Sequence, residues 1–134
     1  MQDTAALLAK KAYEAMHRAY APYSKFSVGA CLQTEDGTLF KGSNIENASY
    51  GLTVCAERVA VFSMAAAGHR KIKAIAIAGS TDNACYPCGA CRQVLREFAT
   101  PNILIYMCNR NGDILKTASL EEILPNSFGP EFLE

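Results

Sequence analysis

Apolar residues recur at helical spacing from about Thr4 to Tyr20, where Leu8, Ala12, Ala15, Met16 and Ala19 share one face and Pro22 closes the segment. The period then changes. Val28, Ala30 and Leu32 alternate with Ser27, Gly29, Cys31 and Gln33, which predicts a strand; Glu35-Asp36-Gly37 predicts a turn, and Thr38 to Lys41 its partner strand. Asn44 to Gly51 is polar and aperiodic, so it is expected to be a loop. A second helix is predicted from about Val54 to Ala67, with Thr53 as N-cap and Gly68 as stop. Lys73 to Ala78 reads as a strand buried on both faces. Pro87 opens a third helix reaching about Ala99, and Ile103 to Met107 is another buried strand. Asn111-Gly112 signals a hairpin that pairs it with Ile114 to Ala118. Ser119 and Glu122 form a capping box for a short last helix.

The predicted order is helix, hairpin, helix, strand, helix, hairpin, helix. It implies an α/β fold: a mixed sheet of about five strands with helices packed on its faces. No repeat or linker interrupts it, so residues 1–134 are expected to form a single domain. The second helix is unusual. From Val59 to Ala67 its only polar side chain is Ser63, so nearly every face needs cover. One sheet covers one side; the helix is therefore expected either to be sandwiched in the core or, as we favour, to line a subunit interface as well.

Half of the residues are apolar and low-complexity stretches are absent, which predicts a folded globule. Thirteen basic residues balance thirteen acidic ones, so the basic excess of a nucleic-acid-backbone binder is missing. A polymer substrate is not expected. The N-terminal residues lack the basic start and apolar run of a signal peptide, and no apolar run approaches the ~20 residues that span a bilayer. A cytoplasmic location without membrane attachment follows as the expectation. There the six cysteines are expected as ligands or buried thiols rather than disulfides.

Three of those cysteines carry chemistry. Cys55-Ala56-Glu57 is followed about thirty residues on by Pro87-Cys88-Gly89-Ala90-Cys91. Three thiolates suit tetrahedral zinc, and three protein ligands leave a position open for water. Cys55 opens the second helix, and Cys88 and Cys91 lie three apart at the start of the third, where positive helix ends favour thiolate. Three thiolates also leave the ion and its ligands net negative. Arg58 is the expected compensation, hydrogen-bonding the sulfurs and withdrawing charge. Glu57 is the expected proton shuttle, set against the plainer role of a helix-start carboxylate favoured by the macrodipole.

With these motifs in view, the chain resembles the small, three-cysteine class of cytidine deaminases nearly end to end. The resemblance rests on Pro22-Tyr23-Ser24-Lys25-Phe26-Ser27-Val28-Gly29-Ala30, on Gly42 to Gly51, on Cys91-Arg92-Gln93-Val94 and on Leu124-Pro125-x-x-Phe128. It implies an α-β-α sandwich and zinc-dependent hydrolysis of cytidine and deoxycytidine to uridine and deoxyuridine, with ammonia released, as in pyrimidine salvage. Hydroxide on the zinc would attack C4 while Glu57 shuttles protons. Phe26 would pack on the pyrimidine, Asn44 and Glu46 bind the ribose hydroxyls, and the backbone around Ala56 contact the base. Phe128 would reach a neighbouring subunit's pocket, with Tyr50 near an interface. One zinc per subunit and a homotetramer with shared active sites are likewise implied.

Cys85 departs from the pattern. Cys85-x-x-Cys88-x-x-Cys91 is a spacing also found in iron–sulfur proteins, and a fourth sulfur could close the zinc site into a structural one. Because Cys85 precedes Pro87, it is expected to be a loop thiol instead. Cys31 and Cys108 fall on predicted strands and are expected as small buried hydrophobes.

Overall fold

In the computed structural model, which describes residues 3–133, helix α1 (Thr4–Met16) is capped by Asp3, whose side chain accepts from the Ala5 amide. It ends at Met16, four residues before the expected Tyr20, with His17 as its C-cap. The cause is tertiary: Tyr20 leaves the helix to pair with the 44–46 segment, donating its N–H to Asn44 and accepting from Glu46. Strands β1 (Val28–Thr34) and β2 (Leu39–Ser43) form the first hairpin.

Helix α2 (Ala56–Ala66) starts two residues later than predicted, with Cys55 rather than Thr53 as its N-cap. Val54 is instead held by an antiparallel bridge to Ile45, and the Thr53 hydroxyl accepts from Asn47. Strand β3 (Ile72–Gly79) follows, then helix α3 (Gly89–Glu97) with Cys88 as N-cap. Cys88 therefore precedes the helix instead of lying within its first turn. Strands β4 (Leu104–Cys108) and β5 (Ile114–Ser119) form the second hairpin, and α4 (Leu120–Ile123) begins with the predicted Ser119–Glu122 capping box.

The sheet order is β2-β1-β3-β4-β5, and only β3 and β4 are parallel, joined by the crossover through α3. The fold is the mixed five-stranded α/β sandwich expected. Strand alternation divides its core. Ala30, Leu32, Ile75, Ile77, Ile105 and Met107 face α2 and α3, meeting Ala60, Val61, Met64 and Leu95. Cys31, Ala74, Ala76, Ala78 and Cys108 face α1, meeting Leu8, Ala9, Ala12 and Met16. Small residues thus face α1. A Cβ on Gly29 would stand 2.1 Å from the Ala12 carbonyl oxygen, and one on Gly42 would stand 2.3 Å from that of Ala56. Both glycines let a helix backbone rest directly on the sheet, and the second sets where α2 begins.

Candidate active site

Two helix starts bring the three sulfurs together. Cys55, Cys88 and Cys91 form the one group of metal-binding side chains of its kind among the described residues, with ligand atoms all within 4.8 Å of one another. The Sγ atoms of Cys55 and Cys88 are 3.8 Å apart, and those of Cys88 and Cys91 are 3.2 Å apart. Tetrahedral zinc–thiolate bonds of about 2.3 Å place sulfurs about 3.8 Å from one another, so the Cys55–Cys88 separation matches this ion and the donor set fits it in number and softness. The local cause is the turn at the N-cap of α3, where the Cys88 sulfur accepts from the Cys91 amide at 3.4 Å.

The electrostatics follow from that crowding. Hydrogen bonds from the Cys91 thiol, from Arg58 and from Cys88 draw the Cys55 thiol down to about 5. The Cys91 thiol moves the other way, pushed up by its hydrogen bond to the Cys55 sulfur and by burial. Arg58 donates from Nη2 to the Cys55 sulfur at 3.4 Å, and its own pKa is raised by that bond. Its Nε is buried and makes no hydrogen bond, which leaves that donor free.

Glu57 occupies the first turn of α2 and is only 4% exposed. Burial pushes its carboxyl up to about 7, with the Cys55 charge adding to the effect. A carboxyl poised near neutrality can both take and give a proton at working pH. Ala56, fully buried beside it, is pinned through its backbone against Gly42.

Cys85 lies in the loop before α3, as expected, but is buried, and it is not part of the sulfur group. Burial pushes its thiol up to about 12, the condition of an inert core cysteine. Cys31 and Cys108 are fully buried on β1 and β4. A Cβ on Gly79 would meet the Cys85 sulfur at 2.9 Å and Phe26 Cζ at 3.0 Å. The end of β3 is thus the floor on which the Phe26 ring and Cys85 sit together.

The loop carrying Phe26 is held by the 44–46 segment. Asn44, nearly buried, accepts from the Val28 amide at 2.8 Å and donates to the Phe26 carbonyl at 2.9 Å. Glu46 accepts from the amides of Tyr23 and Ser24 and from the Ser24 hydroxyl. The Ser24 hydroxyl first, and these amides with it, hold the Glu46 carboxyl below its ordinary value. One amide N–H of Asn44 and further lone pairs of Glu46 stay open to a ligand. This clamping was not legible in the residues singled out. The Ser24 hydroxyl, which accepts from the Phe26 amide, had no signal beyond its place in the motif.

Phe128 lies away from these groups in sequence and is half exposed, its ring stacked on Phe132 at 5.3 Å. Tyr50 is 74% exposed, and its ring is tilted against Tyr23 at 5.8 Å.

The chain is similar to known proteins over most of its length. Residues 2–107 match the model of the cytidine and deoxycytidylate deaminase zinc-binding region. The cytidine deaminase of Halalkalibacterium halodurans is 46% identical over 93% of this chain and 94% of its own. That of Sporosarcina psychrophila is 47% identical over 90% and 88%. The crystal structure of the cytidine deaminase from Burkholderia pseudomallei superposes with a TM-score of 0.85 at 48% identity, covering 91% of this chain and 97% of that one.

Proposed function

The chain belongs to the cytidine and deoxycytidylate deaminase zinc-binding family, and on that premise we propose that it hydrolyses cytidine and deoxycytidine to uridine and deoxyuridine, releasing ammonia. One observation carries the reading: three thiols with zinc spacing converge beside a buried carboxyl on the first turn of α2. Cys55, Cys88 and Cys91 would hold one zinc per subunit, which when bound supplies a Lewis acid that lowers the pKa of water toward neutrality.

The protein's own residues do the rest. Glu57 takes a proton from the attacking water, delivers it to N3 of the base and assists departure of the amino group at C4. Its burial keeps that proton from bulk water. Arg58 offsets the negative charge of the sulfurs by hydrogen bonding to Cys55. Phe26 stacks on the pyrimidine, and the Ala56 backbone contacts the base edge. Asn44 and Glu46 bind the ribose hydroxyls with the donor and acceptor capacity left over from holding the Phe26 loop. Site and scaffold together are read as one catalytic domain.

Assembly completes the proposal: a homotetramer in which Phe128 reaches a neighbour's pocket and Tyr50 lies at an interface. It is supported by the outer face of α2, where Phe62 stays half exposed and lines an open groove of about 460 Å³ with Ile45, Leu52 and Val59. No described helix is long and apolar enough to cross a membrane, and the enzyme is proposed to act in the cytoplasm. The deciding assay follows the fall in ultraviolet absorbance of cytidine with zinc-loaded protein beside its Glu57→Gln variant. Turnover by the parent alone supports the reading. Folded, zinc-loaded parent that leaves both cytidine and deoxycytidine intact overturns it.

A further inference from the structure

Helix α3 begins at a proposed zinc-ligand cysteine, and Arg92, Gln93 and Arg96 reach from it to the C-terminal segment. Arg92 donates from Nε to the Pro87 carbonyl at 2.8 Å and from Nη1 to the Ile123 carbonyl at 2.7 Å. One residue on, Gln93 donates to the Phe128 carbonyl at 2.9 Å. One turn further, Arg96 is only 8% exposed. Its Nε donates to the Ser127 hydroxyl at 2.9 Å, and its Nη2 pairs with Glu131. Gly129 completes the fit. A Cβ there would stand 2.4 Å from the guanidinium carbon, so in this arrangement the glycine backbone packs directly against the cation and a side chain would displace it.

A cation in the last turn of a helix is favoured by the macrodipole, which would explain an exposed arginine there. It does not explain a buried guanidinium with partners on both sides of Phe128. Nor does it explain why Phe128 keeps its backbone tied to α3 while the residue stays more than half exposed. An exposed aromatic on a fixed mount is pre-ordered for contact beyond its own chain, because the ordering entropy has been lost before binding.

We propose that Arg96 is a positioning residue: by clamping Ser127 and Glu131 around Gly129, it fixes the angle at which Phe128 is presented to a nucleoside site. This rests on the reading of Phe128 as a substrate-contacting residue. It adds that α3 sets the geometry of both the sulfur group, at its first turn, and the aromatic, at its last. Glu131 is held below the ordinary carboxylate range by Arg96, in keeping with a clamp that stays ionised at neutral pH.

The test is steady-state kinetics on cytidine with Phe128→Ala, Arg96→Lys, Glu131→Gln, and Phe128→Ala combined with Arg96→Lys, with zinc content and melting temperature measured for each. Lysine keeps the charge and loses the planar fork. Arg96→Lys should raise KM by about tenfold, the loss of a buried charge-assisted hydrogen bond, with kcat and zinc unchanged. The more exposed Glu131→Gln should raise it about two- to fivefold. The double variant should be no worse than Phe128→Ala, because a mount without its ring has nothing to position. If Phe128→Ala raises KM but neither clamp variant does, the clamp is structural and the proposal is overturned while the reading of Phe128 stands. If Phe128→Ala itself leaves KM unchanged, the premise fails and the proposal with it. Should Arg96→Lys not fold, Glu131→Gln and Ser127→Ala decide in the same way.

Discussion

The two halves of the site are held by different forces. The sulfur and carboxyl end is built by packing: α2 lies on the sheet at Gly42, Ala56 is fully buried, and Glu57 and Cys91 are out of water. The proposed recognition rim is built by side chains that cap loops. Asn44 and Glu46 hold the 23–28 segment, Gln93 and Arg96 hold the 127–131 segment, and Phe26 and Phe128 remain partly exposed. A packed helix start fixes atoms to within a few tenths of an ångström, as reaction geometry demands. A capped loop fixes a backbone yet leaves a ring face free for a ligand. Damage at the first end should remove zinc or kcat, and damage at the second should raise KM.

The sharpest break between the halves is expected at the metal. Cys55→Ala should lose stoichiometric zinc and all measurable deamination, and a chelator should do the same to the parent protein; metal analysis beside the cytidine assay checks both. Next, Glu57→Gln should retain zinc and lose about 10²- to 10⁴-fold in kcat, since an amide cannot move the proton. A third variant tests whether packing positions the chemical end. Gly42→Ala should cost at least the ~1–3 kcal/mol typical of overpacking, because the new methyl meets backbone rather than a movable side chain. Its melting temperature should fall, and activity should fall further than that of an equally destabilised variant on the α1 face.

At the rim the effects shrink and change kind. Phe26→Ala should raise KM by an amount set by base–aromatic stacking of about 1–3 kcal/mol, with zinc retained. The smallest effect on metal is expected for Cys85→Ser. It should keep full zinc occupancy, because Cys85 is outside the sulfur group, and should lower stability by about 1–3 kcal/mol through a buried hydroxyl without a partner. Loss of zinc in that variant would instead make Cys85 a ligand and erase the contrast between core thiol and metal thiol.

Elements were legible where the period was strong and blurred where distant backbone competed for the same groups. Residues 28–34 and 72–79 alternate or run apolar and are strands. The ends of α1 and α2 were misplaced because Tyr20 and Val54 pair with Ile45 and its neighbours, contacts that no local pattern reports. In the site, Cys55, Cys88 and Cys91 stood out by spacing and meet in space. Asn44 and Glu46 stood out as ligand-binding types, whereas their hold on the Phe26 loop is visible only in three dimensions. Arg96 carried no signal at all. An arginine near a helix end reads as a surface charge until the partners that bury it, some thirty residues away, are seen.

What the sequence determined by itself was local: side-chain period, turn chemistry, and the placing of thiols and a carboxyl at the starts of two helices. These depend on residues a few positions apart, whose relative geometry is set by backbone dihedrals alone. What only the tertiary structure decided was which face of each strand meets which helix, how near that helix lies, and which polar groups are excluded from water. Alternating alanine and isoleucine along β3 is consistent with either face until α1 rests on the alanines. The position of α2, the proton affinity of Glu57 and the burial of Arg96 then follow from close packing between segments far apart in the chain. Nothing within a single segment specifies such packing.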